Sequence, residues 1–475
     1  MKTALVLPAL LLLLVPAVPQ EKTATGTFGM AAAEHPEGAA AGAKILEKGG
    51  NAVDAAVAAA FAMGVAMPSH SGLGGRSQIL VVLKDRAFHV DGGTQVPKGW
   101  VEEKGGRLSS VCVPGSLAAL DLALREGGTM KLADVMAPAI ELARTKKSKE
   151  LAATLEAIAA GGAREFYEGR IADAIAADMA ARGGFVTKED LAEYKAVKRE
   201  PLRGSYRGLE VLAADKPASG ALVLAALNVL ETFDLGTLKE PDREHALIES
   251  LRIAFEDRKA KVEDPKAHAK KRAAEVDFKK AGTPRVDEEE EGDTTHISVV
   301  DRDGNACAFT QSLGPWYGAG AAKGLGFYWN ATQGVAGTVA PGKRHVTGQA
   351  PTILRKDGKV ALVLGSAGER RITSAVTQAI HHVVDRGRSL RDAVFAPRWH
   401  WQGPRLLLES NPPDRGLAVS AASLDDLKGR GFAFGRMPSN PYWGRVQAIQ
   451  WDASKKEWVG AADPRGSGSA KAPEK

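Results

Sequence analysis

The stretch EEEEGDTTHISVVDRDGNACAFTQS, Glu288 to Ser312, decides how the rest of the chain is read. Four acids, a glycine and Asp293 form a solvated, turn-prone run. From Thr294 onward apolar and polar residues alternate on both sides of Asp301-Arg302-Asp303-Gly304-Asn305, which reads as a strand, a tight turn and a second strand. Two adjacent hydroxyls, Thr294 and Thr295, therefore stand at the seam between an exposed linker, Ala281 to Asp293, and a buried hairpin. If the linker is cut before Thr294, that residue carries its hydroxyl and a new α-amine together. An α-amine with a pKa of about 8 is partly neutral at working pH. Nucleophile and general base then come as one unit and need no histidine partner. The competing reading is that Thr-Thr simply opens a strand, as β-branched residues often do.

Working outward, the 475 residues are 44% hydrophobic and 25% charged, the composition of an ordinary globular protein. Aromatics make up only 6% and glycines number 52, which favours closely packed layers of small residues over an aromatic recognition surface. The net charge of +6 is modest, and acids and bases are interleaved even in the lysine-rich tract Glu256 to Lys280. No nucleic-acid partner is expected. The leader has Lys2, an apolar run from Ala4 to Val15 and small residues near Ala17, the pattern of a signal peptide over residues 1–19, and it is too short for a stable membrane span. Export to a periplasmic or extracellular space follows. Cys112 and Cys307 allow either one disulfide or two separate buried thiols.

The segment after the leader shows two helical patterns split by Gly49-Gly50, the second apolar on all sides and hence buried. Ser77 to Gly93 reads as two strands joined at Lys84-Asp85-Arg86, and Arg199 to Asp215 as another extended pair. Helices dominate from Pro114 to about Leu235, with a capping box at Thr187 and Asp190. Further β pairs are expected in Ala350–Gly368 and Arg445–Asp463, with helices between them. The tail from about residue 466 is low in complexity and is expected to fray. Strands early, helices in the middle and strands again imply an α/β (α+β) fold of two packed sheets with helices outside.

Several familiar catalytic motifs are missing: no HExxH, no phosphate-binding GxxxxGK[ST], no CxxC pair and no GxSxG elbow. His381-His382 lacks ligands at metal spacing. The Gly72–Gly75 run GLGG is read as serving backbone geometry. No metal and no cofactor is expected.

The segments GGNAVDAAVAAAFAMGVAMP, TTHISVVDRDGNACAFT, PTILRKDGKVALVLGSAG, RRITSAVTQAI and APRWHWQG closely resemble, in order, segments of the γ-glutamyltranspeptidase family, and the similarity runs from about Gly29 to Arg465. The resemblance implies an N-terminal-nucleophile (Ntn) hydrolase, an αββα four-layer sandwich, whose precursor cuts itself between Asp293 and Thr294. A large chain, 20–293, and a small catalytic chain, 294–475, would stay associated. Thr294 would attack first its own preceding carbonyl, then the amide carbonyl of a small-molecule or peptide substrate, and the acyl group would pass to water or an amine.

Carried over by position, Ser312 matches a threonine that positions the nucleophile, while Gly368 and Glu369 match an oxyanion-hole pair whose second member is ordinarily glycine. Thr347 and Gly348 match a serine pair that contacts the substrate carboxylate. Gly93 stands where the family has a carboxylate-binding arginine, and no acid replaces the amine-binding one near Val335. Arg76, Arg370 and Arg371 are the cations that could substitute. Besides γ-glutamyl transfer, two alternatives are an acylase or peptidase for a bulkier acyl amide, and a non-catalytic binding protein.

Overall fold

The computed structural model describes residues 21–102, 104–282, 293–334, 337–410 and 419–474. The signal-peptide reading, most of the acidic linker and Val335 lie outside the described residues.

All five expected β pairs form, because in each an alternating or β-branched run flanks a turn rich in Gly, Asp or Lys. They are Arg76–Val82 with Ala87–Gly92, Leu202–Tyr206 with Leu209–Ala213, Asp293–Asp301 with Ala306–Gly314, Thr352–Lys356 with Lys359–Ala367, and Arg445–Asp452 with Glu457–Ala462. They assemble into two antiparallel seven-stranded sheets. Across the first run Ser469–Lys471, Gly29–Ala33, Asp293–Asp301, Ala306–Gly314, Arg76–Val82, Ala87–Gly92 and Val197–Arg199. Across the second run Thr23–Gly26, Glu457–Ala462, Arg445–Asp452, Lys359–Ala367, Thr352–Lys356, Leu209–Ala213 and Leu202–Tyr206.

Alternation along each strand sorts side chains between two cores. Met30, Ala32, Leu80, Val300 and Ala308 of the first sheet pack against Leu212, Ile353, Val363 and Ile449 of the second. Their neighbours Ala31, Ile79, Val81, Ile297 and Val299 face the helices Pro36–Glu47 and Ala52–Ala66 and the layer behind them. Helices Gly220–Glu231, Glu240–Glu256 and Arg371–Val384 cover the second sheet. The result is the expected αββα four-layer sandwich.

Helix Ala52–Ala66 starts at a capping box of Asn51 and Asp54 and buries nearly every side chain, which small residues permit. The Thr187–Asp190 capping box is present as well. Two expectations need correction. The strand Gly29–Ala33 sits inside a run read as helical. The tail does not fray: Ser469–Lys471 pairs with Ala31–Ala33, and Ala470 is 3% exposed in the inter-sheet core. Backbone pairing and burial of one methyl hold a segment whose composition alone suggests disorder. Cys112 and Cys307 are two separate buried thiols. Burial pushes the Cys112 thiol up to about 11 and that of Cys307 higher still, so neither supplies a thiolate. Among the described residues, no helix is long and apolar enough to cross a membrane.

Candidate active site

The two threonines of the opening stretch part company by strand geometry. Successive side chains point to opposite faces, so Thr294, His296 and Ser298 face the second sheet while Thr295, Ile297 and Val299 face the helices. His296 lies against Gly365 of the second sheet, and Ser298 Oγ donates to the Gln447 carbonyl at 3.0 Å. Thr295 is opposite Gln311, whose amide donates to the Ala60 carbonyl of the covering helix. Of the two threonines, Thr294 is the one that faces the space between the sheets.

Across the first sheet Thr294 is paired with Ser312, and Ser312 with Arg76. Directly opposite residues share a face, so the three side chains form one row at the end of the sandwich. Thr294 and Ser312 are each 1% exposed and Arg76 is 3% exposed. The Gly314 amide donates to Ser312 Oγ at 2.9 Å, fixing that hydroxyl's orientation. The register shifts between Asp293 and Thr294, where the partner strand bulges by one residue, Leu313, opposite the bond ahead of the hydroxyl. Bulges re-aim side chains and disturb ladder pairing, and they concentrate beside active sites. Arg445 Nη2 donates to the Thr294 carbonyl at 3.0 Å and pairs with the buried Glu34 carboxylate. Arg445 is also the register partner of Ala367, so one guanidinium ties Thr294 to the end of the facing strand.

That end is the Gly368–Glu369 turn. Gly368 has φ +119°, and a Cβ there would come within 3.0 Å of the Gly444 Cα, so glycine is required. Glu369 has φ +51°, the left-handed region that costs a non-glycine residue roughly 1–2 kcal/mol. The amides of Arg371 and Ile372 return to the carbonyls of Gly368 and Glu369, both at 3.0 Å, and open the helix Arg371–Val384. The turn therefore sits at the positive end of a helix dipole, which favours developing negative charge. The Glu369 carboxylate opposes this less than its sequence position implies, because its Oε1 stands 3.8 Å from Arg76 Nη2.

Gly348 packs against the same turn. A Cβ on it would come within 2.7 Å of the Glu369 carbonyl oxygen, so a serine cannot enter without moving the turn. Thr347 is held by the Pro217 carbonyl, which accepts from its amide at 2.8 Å, and by Ser219 Oγ, which donates to its carbonyl at 2.7 Å. Gly93 lies further off, its amide donating to Asp91 Oδ1 at 2.8 Å. Beside it Arg344 pairs with Asp91 Oδ2 at 2.7 Å. Burial alone would raise the Asp91 carboxyl, but Arg344 and donors from Gln78 and Gly93 hold it below the usual range. Arg344 is therefore committed to Asp91. Arg371 lies over the Tyr442 ring at 5.2 Å. Of the three arginines singled out, Arg76 is the one in the Thr294 row.

The histidine that follows in the same strand does not serve this row as a base. His296 is fully buried between Thr310 Oγ1 and Ser298 Oγ, and burial lowers it to about 3, so it stays neutral. His381 binds Asp385 at 2.8 Å, and among the described residues no group of three or more acidic, histidine or cysteine side chains converges as a metal site. The GLGG run does serve the backbone: Cβ atoms on Gly74 and Gly75 would strike the Tyr328 and Ser312 carbonyls. Sequence reasoning missed Glu34 and Arg445. The available signal was Glu34 itself, an acid directly after the buried run Met30–Ala33.

Two facing antiparallel sheets between helical layers, with a hydroxyl at the inner end of a central strand, define an Ntn-hydrolase architecture. The cephalosporin acylase of Bacillus halodurans superposes with a TM-score of 0.84 at 26% identity, covering 97% of this chain and 98% of that one. An acylase ACY 1 proenzyme of Pseudomonas sp. strain SE83 is 34% identical over 83% of this chain and 86% of its own length. The glutathione hydrolase proenzyme of Escherichia coli K12 is 32% identical over 92% and 90%. The sequence model for gamma-glutamyltranspeptidase matches residues 38–146 and 144–472. The chain belongs to the γ-glutamyltranspeptidase family and is an amidohydrolase of that hydrolase/transferase group.

Proposed function

We propose that this chain is an exported precursor that cuts itself between Asp293 and Thr294 and then hydrolyses or transfers the acyl group of an amide through an ester on Thr294. The observation that carries this is the row of Thr294 and Ser312, with a one-residue bulge of the partner strand opposite the Asp293–Thr294 bond, tied by Arg445 to the Gly368–Glu369 turn. In maturation Thr294 Oγ attacks the Asp293 carbonyl carbon, the C–N bond breaks, and water hydrolyses the resulting ester. Thr294 is left with a free α-amine. In turnover that amine takes the hydroxyl proton as Oγ attacks the substrate carbonyl, and the proton leaves with the departing amine. Backbone N–H groups of Gly368 and Glu369 receive the oxyanion, and Ser312 holds the nucleophile. Water or an amine acceptor then releases the acyl group. Burial of Thr294 in the continuous chain fits a nucleophile whose first substrate is its own peptide bond.

The large piece, 20–293, and the small piece, 294–475, remain one enzyme after the cut. Thr347 and Gly348 line the acyl side next to the oxyanion turn. γ-Glutamyl amides such as glutathione are the first substrate class, as the name of the Escherichia coli relative suggests. A bulkier acyl amide is the second, favoured by Gly93 in place of an arginine and by the likeness to two acylases. Intact mass under denaturing conditions tests the core of this reading. Two chains are expected, the smaller beginning at Thr294, and T294A should give one uncut chain. A T294A protein that still splits at this bond would rule the hydroxyl out.

A further inference from the structure

We propose that a groove among the helices covering the second sheet is a separate binding site for an N-acyl amino acid, a molecule that joins an apolar chain, an amide N–H and a carboxylate. The groove has a volume of about 730 Å³, within the range of small-molecule sites. It lies between helices Gly220–Glu231, Glu240–Glu256 and Pro265–Ala273 and the edge strand Leu202–Tyr206. None of its lining residues belongs to the Thr294 row or to the Gly368–Glu369 turn, so the inference is independent of the reading of Thr294. Its walls are largely apolar. Helix Gly220–Glu231 turns Ala221, Ala225 and Asn228 to the groove at helical spacing, and Leu222, Val229 and Ile253 line it beside them. Asn228 is the one polar residue between Ala221 and Leu230. It is 7% exposed, and its Oδ1 has no hydrogen-bond partner among the described residues. A buried amide oxygen is costly unless a donor reaches it. The side chains one turn back, Leu224 and Ala225, carry no donor, which leaves that role to an N–H inside an otherwise apolar occupant.

The rim sets the charge of that occupant. Arg203 is engaged by Glu210 at 2.8 Å, and Asp257 by His268 at 2.7 Å and Arg272 at 2.9 Å, so these groups are already committed. Lys216 and Lys261 are exposed cations on the rim, and Lys259 stands with them, against the carboxylate of Glu263. The balance is cationic and favours a carboxylate. An acyl chain along the apolar wall, its amide N–H on Asn228 Oδ1 and its carboxylate among the lysines meets all three features at once. A plain fatty acid leaves Asn228 unsatisfied, and a neutral amide leaves the lysines without an anion. Lys216 also precedes Pro217, whose carbonyl accepts from the Thr347 amide at 2.8 Å, so an occupied groove borders the segment that carries Thr347 and Gly348.

Titration calorimetry on the purified full chain tests this with three probes: N-decanoylglycine, N-decanoylsarcosine, which lacks the N–H, and N-decanoylglycinamide, which lacks the charge. Decanoylglycine should bind one to one and about tenfold more tightly than either of the others. N228L should abolish the preference over the sarcosine, and the double variant K216Q/K261Q the preference over the glycinamide. Should N228L fail to fold, A225F, which fills the groove from the neighbouring turn, takes its place and should weaken decanoylglycine about tenfold. Equal affinity for the three probes, no saturable binding at about 1 mM, or an unchanged profile in N228L or A225F overturns the proposal. Binding that is lost in T294A and kept in N228L would put the probe at the nucleophile and overturns it as well.

Discussion

At the scale of single residues, the two threonines show how one step along a strand separates a hydroxyl that faces the other sheet from one buried against the helices. Thr295 Oγ1 is buried against the helical layer with no hydrogen-bond partner among the described residues, which forfeits the desolvation free energy of a hydroxyl. T295V keeps the β-branched shape and removes that cost, so it should raise stability by about 1 kcal/mol in urea unfolding and still self-process. A fall in stability would mean that the hydroxyl is bonded after all. The buried histidines predict a pH effect of defined sign. His89 and His296 are lowered by burial to about 4 and about 3, against an unfolded value near 6.5. The unfolded chain therefore binds protons first, and stability present above pH 6.5 is lost as the pH falls toward the folded values. Each should cost about 1 kcal/mol at one pH unit below 6.5, seen as a falling melting temperature between pH 7 and 5. The acids held low, such as Asp91, add their loss only below the ordinary carboxylate range. H89Q should flatten the upper part of this profile.

At the scale of elements, the hairpins were legible because two-residue alternation and turn formers are local properties of the chain. Gly29–Ala33 was not: five small residues carry no visible alternation, and alanine by itself favours helix. Only the strands on either side, Asp293–Asp301 and Ser469–Lys471, make it a strand. The same blindness applies to the site. Thr294, Ser312, Gly368 and Glu369 could be singled out by family resemblance, but Arg445 and Glu34 lie 411 positions apart and meet only through the packing of the two sheets. The last strand carries its own prediction. Truncation after Arg465 removes three paired residues and uncovers Gly29–Ala33 as an apolar sheet edge. It should cost about 2 kcal/mol in urea unfolding and raise aggregation. An unchanged midpoint would show that this pairing contributes nothing.

At the scale of the whole molecule, the order of strands decides what a cut at residue 293 does. In the first sheet the small-chain strands Asp293–Asp301 and Ala306–Gly314 are flanked by large-chain strands Gly29–Ala33 and Arg76–Val82. In the second, four small-chain strands lie between Thr23–Gly26 and Leu209–Ala213, both from the large chain. Neither piece owns a complete sheet, and the inter-sheet core draws Met30, Leu80 and Leu212 from one piece and Val300, Ile353 and Ile449 from the other. Hydrophobic burial at this boundary is that of a domain interior, unlike the smaller and more polar faces that let domains separate. Cutting one peptide bond removes a covalent link while leaving every one of these contacts in place. The mature pieces should therefore co-elute as a single species on dilution to nanomolar concentration and separate only with cooperative unfolding in denaturant. Expressed apart, 20–293 and 294–475 should each lack a cooperative transition. Dissociation of the processed pieces under native conditions would contradict the interleaved sheets, and with them the shared site in which Arg76 from one piece faces Thr294 and Glu369 from the other.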